Sequence, residues 1–329
     1  MAKNKPDWVS GVLVVNKHPG VTSHRIISAC RKLFDTSKVG HTGTLDPMAT
    51  GVLPVLIGRA VKASDYLMMH DKEYICEMKL GLTTDTEDIT GEVLTTSSDI
   101  PDEETVLEAC RSFAGKISQI PPMYSAIKVG GRKLVDIARE GGEVERKPRK
   151  VEIYEIEPKK VSDDTYSIRV ACSKGTYIRT LCSDIGKKLG CGAVMSSLVR
   201  TRTGSFTLDD CVTVEQLDAM TFEERLKLPK PVESLFADLD SVSVPDYYAK
   251  LLRGGAPLFQ KKLKCSFEEG TLLRIYQRGE FIALGRAGTE DGKAVIRQEK
   301  LFVIDPPKDP HVKNAVEAAD TGDCDGDSV

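Results

Sequence analysis

Gly40-His41-Thr42-Gly43-Thr44-Leu45-Asp46-Pro47-Met48-Ala49-Thr50-Gly51 runs directly into Val52-Leu53-Pro54-Val55-Leu56-Ile57. Glycines, threonines and a proline at this density exclude a regular helix or strand over the first twelve residues. Gly and Pro supply the dihedrals of a tight loop, and the Thr hydroxyls can satisfy its turning backbone. The apolar run at 52–57 reads as a buried strand. The loop is therefore pinned against a core, and it carries one carboxylate, Asp46, and one imidazole, His41. Loops held by rigid scaffolds are where reactive groups concentrate. Taken alone, an Asp in such a loop more often caps its own backbone.

Upstream, residues 11–15 form a short apolar run that predicts a buried strand. Lys17, Pro19 and Gly20 make a turn, and Thr22 or Ser23 is placed to N-cap a helix with Ile26, Cys30 and Leu33 inward. On this reading Lys17 either approaches a phosphate or is a solvated turn lysine. Downstream, residues 73–80 alternate, which puts Tyr74, Cys76, Met78 and Leu80 on one face of a strand. The acidic run Asp85, Glu87, Asp88, Glu92 fails as an EF-hand loop because its glycine falls one place late and no Glu closes it. A hydrogen-bonded turn is predicted instead.

Residues 102–114 predict a helix with Val106, Leu107, Cys110 and Phe113 inward, and 149–157 and 165–172 predict strands. Cys172-Ser173-Lys174-Gly175-Thr176-Tyr177-Ile178-Arg179-Thr180-Leu181 leads into a helix with Leu181, Ile185 and Leu189 on its buried face. Residues 213–240 read as a helical connector. From about 245 a helix ending in Leu-Leu-Arg-Gly-Gly precedes several short β-runs, the pattern of a compact β-barrel.

With 329 residues, one large and one small domain are expected. Hydrophobic content of 40% and charged content of 29% describe an ordinary globular chain. Nine cysteines without a C-x-x-C pair suggest reduced thiols rather than a disulfide framework or a zinc site. No signal peptide is expected at the N-terminus, and no apolar run approaches the roughly 20 residues that span a bilayer. The net charge of −3 is unusual for a nucleic-acid binder. Five acids and no base follow from Glu317 onward, and without them the balance becomes +2. The arrangement of charge on one face matters more for phosphate binding than this total. Residues 128–160 carry ten bases against seven acids, and could skirt an RNA backbone or form a solvated mixed face.

The string at 40–54 resembles the catalytic loop of the TruB-type tRNA pseudouridine synthases. The same family is matched in order by Lys17, Gly20, Thr22 and Ser23; by Tyr74 with Gly81, Thr84-Asp85-Thr86, Asp88 and Gly91; by Pro121-Pro122-Met123-Tyr124-Ser125-Ala126-Ile127-Lys128; by Cys172 to Leu181; and by Leu198 to Phe206. The chain departs from the family at His18, at Leu134, and at Val194-Met195-Ser196. The resemblance implies an α+β pseudouridine synthase fold, a largely antiparallel mixed sheet flanked by helices, over residues 1–240. A small PUA-like RNA-binding β-barrel over 241–305 and a disordered acidic tail over 306–329 complete the expected organisation.

The implied reaction breaks the N1–C1′ bond of a uridine in RNA, rotates the base and joins C5 to C1′, with no cofactor and no metal. Asp46 matches the essential carboxylate, open to attack on the base, attack on C1′, or removal of a sugar proton. Arg179 matches its cationic partner and is expected to hold the Asp46 pKa down. Tyr74 matches the tyrosine that stacks on the target base. Tyr177 and Leu198 match pocket walls, and His41 the residue that fills the space left by the flipped nucleotide. Lys17 is carried over as a substrate-binding residue. The expected substrate is the T arm of tRNA, for a cytoplasmic monomer with neither DNA nor a membrane as partner. Two other readings fit the same residues: a tRNA-folding chaperone and a guide-RNA-dependent synthase subunit. A glycosidase would need a second motif carboxylate that the sequence does not supply.

Overall fold

The computed structural model describes residues 9–67 and 70–302; the expected tail at 306–329 lies outside them. The chain divides into two compact units, Met1–Leu235 and Phe236–Val329.

The first unit is built on a nine-stranded sheet. Its strands are β1 (Gly11–Lys17), β2 (Val39–His41), β3 (Thr50–Ile57), β4 (Lys72–Leu80), β7 (Gly115–Gln119), β10 (Arg149–Lys160), β11 (Thr165–Cys172), β12 (Ala193–Thr203) and β13 (Phe206–Thr207). Two small hairpins stand apart, β5 (Leu82–Thr84) with β6 (Val93–Thr96) and β8 (Lys128–Val129) with β9 (Arg132–Lys133). The main order is β1-β3-β12-β4-β11-β10-β7, with β2 on β3 and β13 on β12. Every pairing in this sheet is antiparallel except β3 with β12.

One face of the sheet is covered by α1 (Ser23–Leu33), α3 (Glu103–Arg111) and α5 (Ile178–Leu189), whose buried residues join the sheet's core. Two short helices, α2 (Ser64–Leu67) and α4 (Leu134–Arg139), lie in the connections between strands. The Thr22 side chain caps α1 by accepting from the Arg25 N–H, and Asp102 caps α3 through the Thr105 N–H. The expected alternation on β4 is present: Tyr74, Cys76, Met78 and Leu80 are buried, while Ile75 is exposed. Leu107 and Phe113, expected inward near α3, are half-buried against the core, and Ala109 takes a fully buried place. The eight cysteines among the described residues form no disulfide. No helix there is long and apolar enough to cross a membrane.

The Gly/Thr/Pro stretch is the connection of a hairpin, with β2 and β3 pairing from Val39↔Ile57 to His41↔Val55. Its first and last residues enter these strands, so the irregular part is shorter than its composition predicts. Where β3 meets β12 in parallel, Arg200 faces Gly51. A Cβ on Gly51 would lie 2.3 Å from the Arg200 carbonyl oxygen, at φ +101°. No side chain fits there. On β12, a bulge between Met195 and Ser197 switches which residues face inward, from Ala193 and Met195 to Leu198 and Arg200.

The second unit is an open five-stranded sheet, β14 (Ser241–Ser243), β16 (Leu272–Gln277), β17 (Glu280–Glu290), β18 (Lys293–Leu301) and β15 (Leu258–Phe259), in that order. It curls into a PUA-like half-barrel around Val242, Leu252, Leu258, Leu273, Ile275 and Ile296. The helix at Asp246–Arg253 contributes Ala249 and Leu252 to this core. Phe236, Phe281 and Phe302 form an aromatic cluster with centroids 5.2 to 6.0 Å apart.

Gly51→Ala should cost about 3 kcal/mol, because overpacking against backbone adds to the left-handed strain. Gly141→Ala, at φ +76° with nothing within 4 Å of the added carbon, should cost only about 1 kcal/mol. Urea unfolding of the two variants measures the difference, and equal losses would refute the close-approach argument.

Candidate active site

The hairpin connection is bolted down from behind. Lys17 Nζ donates to the carbonyls of Pro47 (3.0 Å) and His18 (3.1 Å). The Gly20 N–H also donates to Pro47, at 2.9 Å. Ser23 Oγ donates to the Leu45 carbonyl (3.1 Å) and accepts from its N–H (2.9 Å). From the sheet, Arg200 sends Nε to the Val52 carbonyl at 2.7 Å and a terminal nitrogen to the Gly43 carbonyl at 3.2 Å. These bonds fix the backbone on both sides of Asp46.

Asp46 receives a two-pronged ion pair from Arg179, with Nε 3.0 Å from Oδ2 and Nη2 3.1 Å from Oδ1. Such fork-to-fork pairing fixes orientation as well as charge. Arg179 lies in the first turn of α5 and is 5% exposed. Its other hydrogens go to the carbonyls of Tyr124 (2.8 Å) and Thr86 (3.1 Å), and Nη1 lies 3.8 Å from Asp88 Oδ2. Asp88 is held by the turn predicted over 84–92: its Oδ1 accepts from Thr86 Oγ1 (2.9 Å), the Thr90 N–H (3.0 Å) and Thr90 Oγ1 (2.6 Å). Thr180 Oγ1 donates to Glu87 at 2.7 Å, tying the same turn to α5.

The electrostatics correct one expectation. Burial pushes the Asp46 pKa above its ordinary value, and the attraction of Arg179 only partly offsets this. The pairing alone predicts a lowered value; desolvation outweighs it. Lys17 corrects another. It is 0% exposed, and its ammonium is turned to loop carbonyls rather than to a phosphate. Burial, opposed by the Asp46 charge, lowers its pKa to about 8. Its position makes it a support of the loop.

Tyr74 is buried on β4, directly across from Arg200 on β12. Burial raises its phenol pKa, so it is neutral near pH 7. The charge on Asp46 acts on the phenols of both Tyr74 and Tyr177. Tyr177 is the N-cap residue of α5, and its backbone is clamped by Gln119, which donates to the Tyr177 carbonyl (3.2 Å) and accepts from its N–H (3.1 Å). Leu198 is buried two residues before Arg200, paired with Cys76. His41 accepts the Gly43 N–H on Nδ1 at 3.3 Å, so its proton sits on Nε2. Burial, then the positive Arg200, lowers its pKa and keeps the ring neutral.

The direct contact is therefore Asp46 with Arg179, with Tyr74 and Tyr177 in its field. Asp88, Arg200 and Gln119 do not stand out in the sequence as site residues. Asp88 lies inside a recognised motif, but only the fold reveals that it faces Arg179. Among the described residues, no group of three or more His, Cys, Asp or Glu side chains is placed to hold a metal ion. Chemically, the arrangement presents an oriented carboxylate beside a permanent cation and neutral phenols.

Residues 31–178 match the N-terminal domain profile of the TruB family pseudouridylate synthases. Residues 179–242 match the tRNA pseudouridylate synthase B C-terminal domain. A tRNA pseudouridine synthase B from Clostridium tetani is 43% identical over 289 residues, 87% of this chain and 99% of that protein. One from Francisella philomiragia is 44% identical over 304 residues, 91% of this chain and 97% of that protein. Among solved structures, a Cbf5-Nop10-Gar1 complex contains a chain that aligns at TM-score 0.68 and 29% identity, covering 91% of this chain and 88% of that one. With two family profiles matched over residues 31–242 and relatives above 40% identical along nearly their whole length, this chain belongs to the TruB family of pseudouridylate synthases.

Proposed function

We propose that the protein converts uridine to pseudouridine at position 55, in the T arm of tRNA, with Asp46 as the carboxylate that acts at the sugar–base bond. The observation that carries this reading is the two-pronged Asp46–Arg179 pair on a backbone-fixed loop, the guanidinium buried and the carboxylate 32% exposed toward substrate space. The relatives' names supply the substrate class, since the Clostridium and Francisella proteins are tRNA pseudouridine synthases aligned over nearly their whole length.

The target base must leave its stack before Asp46 can act, at a cost of a few kcal/mol. Tyr74 stacks on the flipped uracil, Tyr177 and Leu198 wall the pocket, and neutral His41 occupies the space the nucleotide vacates. Arg179 keeps Asp46 ionised and aimed. The enzyme works as a cytoplasmic monomer. A second reading, a subunit role, rests on the likeness to a chain of the Cbf5-Nop10-Gar1 complex, but the higher identity to tRNA pseudouridine synthases favours direct recognition of tRNA. A chaperone role adds to catalysis and does not replace it.

The test is release of the C5 hydrogen from tRNA labelled at uridine C5. Wild type should release it, with pseudouridine mapped to position 55, and Asp46→Asn should not. Absence of release by wild type with tRNA binding intact would sink the enzyme reading. His41→Ala should keep measurable turnover.

The ion-pair geometry gives two more expected outcomes. Asp88→Ala leaves Asp46 its charge partner but unties the turn whose Thr86 carbonyl helps to hold the guanidinium, so kcat should fall about 100-fold with KM little changed. Arg179→Lys loses the fork and weakens the attraction that restrains the Asp46 pKa. Activity requires the ionised carboxylate and is lost as pH falls through its pKa. The acid limb of the rate profile should therefore start above the ordinary carboxylate range in wild type and move to higher pH in Arg179→Lys. A profile unchanged by the substitution would refute the assignment.

A further inference from the structure

In the stretch from Pro121 to Lys128, the Tyr124 carbonyl holds Arg179. The next residue, Ser125, is 6% exposed, and its Oγ has no hydrogen-bond partner at ordinary distance and angle. Its backbone is fixed on both sides, the N–H donating to Met123 (2.9 Å) and the carbonyl accepting from Val135 (3.1 Å). The main chain therefore fixes where the side chain starts, and the hydroxyl is left only its rotation about χ1. Its polar neighbour is the phenol of Tyr177, in a contact looser than a formed hydrogen bond, and that phenol in turn feels the Asp46 carboxylate and the Arg179 cation.

A buried hydroxyl without a partner costs folding free energy, and native proteins satisfy nearly all such groups. A site that retains one has a use for it when a ligand arrives. We infer that Ser125 is a further substrate-binding residue, whose hydroxyl hydrogen-bonds a neutral polar group of the flipped nucleotide, on its uracil edge or its ribose. A hydroxyl can donate or accept, which suits a carbonyl, an imide or a sugar hydroxyl. The anionic Asp46 nearby disfavours a phosphate at that point. The inference rests on the pseudouridine synthase reading and adds to it a contact beside Tyr177, on a segment separate from the catalytic loop.

The experiment compares the full-length wild type with Ser125→Ala on synthetic T-arm stem-loops, following product by nucleoside chromatography and stability by thermal unfolding. With uridine at the target, kcat/KM should fall about tenfold in Ser125→Ala, mostly through KM, while Tm stays equal or rises. Stem-loops with 4-thiouridine or 2′-deoxyuridine at the target then form a cycle. Collapse of the wild-type to variant ratio toward one with the thio-base assigns the contact to the uracil edge, and collapse with the deoxy-sugar assigns it to the ribose. A ratio near one on uridine overturns the inference. So does a lowered Tm with the ratio unchanged on both analogues, which marks Ser125 as structural. Wild type inactive on uridine would sink the enzyme reading itself, a different result from an active wild type matched by its variant.

Discussion

The guanidinium of Arg179 is the constraint on which the site depends. Arginine keeps its charge in a protein interior, and at 5% exposure it cannot rely on water. Its hydrogens must be met by the protein, and separate stretches meet them through Asp46, Thr86 and Tyr124, with the Asp88 charge 3.8 Å away. Removing a partner leaves this buried cation uncompensated, which destabilises the fold. The Asp46 loop, the 84–92 turn and the 121–128 segment are thus held to α5 by one side chain.

A second cation organises the other side of Asp46. Arg200 lies on β12 where that strand runs parallel to β3, and it bonds carbonyls at both Gly43 and Val52. The close approach of these strands leaves no room for a side chain at Gly51. Lys17 completes the support from β1. Fixing the loop in advance suits the proposed role of Asp46, because a carboxylate that acts on one atom of a substrate gains from being placed before the substrate arrives. The free-energy cost is visible in the raised pKa of Asp46 and the lowered pKa of Lys17, both caused first by burial.

Local patterns are legible in the chain itself. The β4 alternation, the Thr22 cap and the periodicity of α5 are properties of short windows, and each is present in the fold. The surface role expected for Lys17 and the lowered pKa expected for Asp46 are not. Both depend on desolvation, which sums over segments far apart in the chain. A lysine beside a Pro-Gly turn resembles a surface residue until β1 is seen to lie under the loop. Asp88 and Ser125 stand inside recognised motifs, but which atom each one faces is a matter of packing.

The residue types that the chemistry needs, their order, and the family to which they point all come from the amino acids alone. Glycine, proline and threonine restrict the backbone locally, and a carboxylate keeps its character wherever it stands. Which groups meet is set by the fold: Arg179 with Asp46 across 133 positions, and Arg200 with Gly43 across 157. The fold also sets which of those groups lose their water. Contact and desolvation are collective properties of the folded chain, so the electrostatics of the site exist only once β3, β4, β12 and α5 are assembled around it.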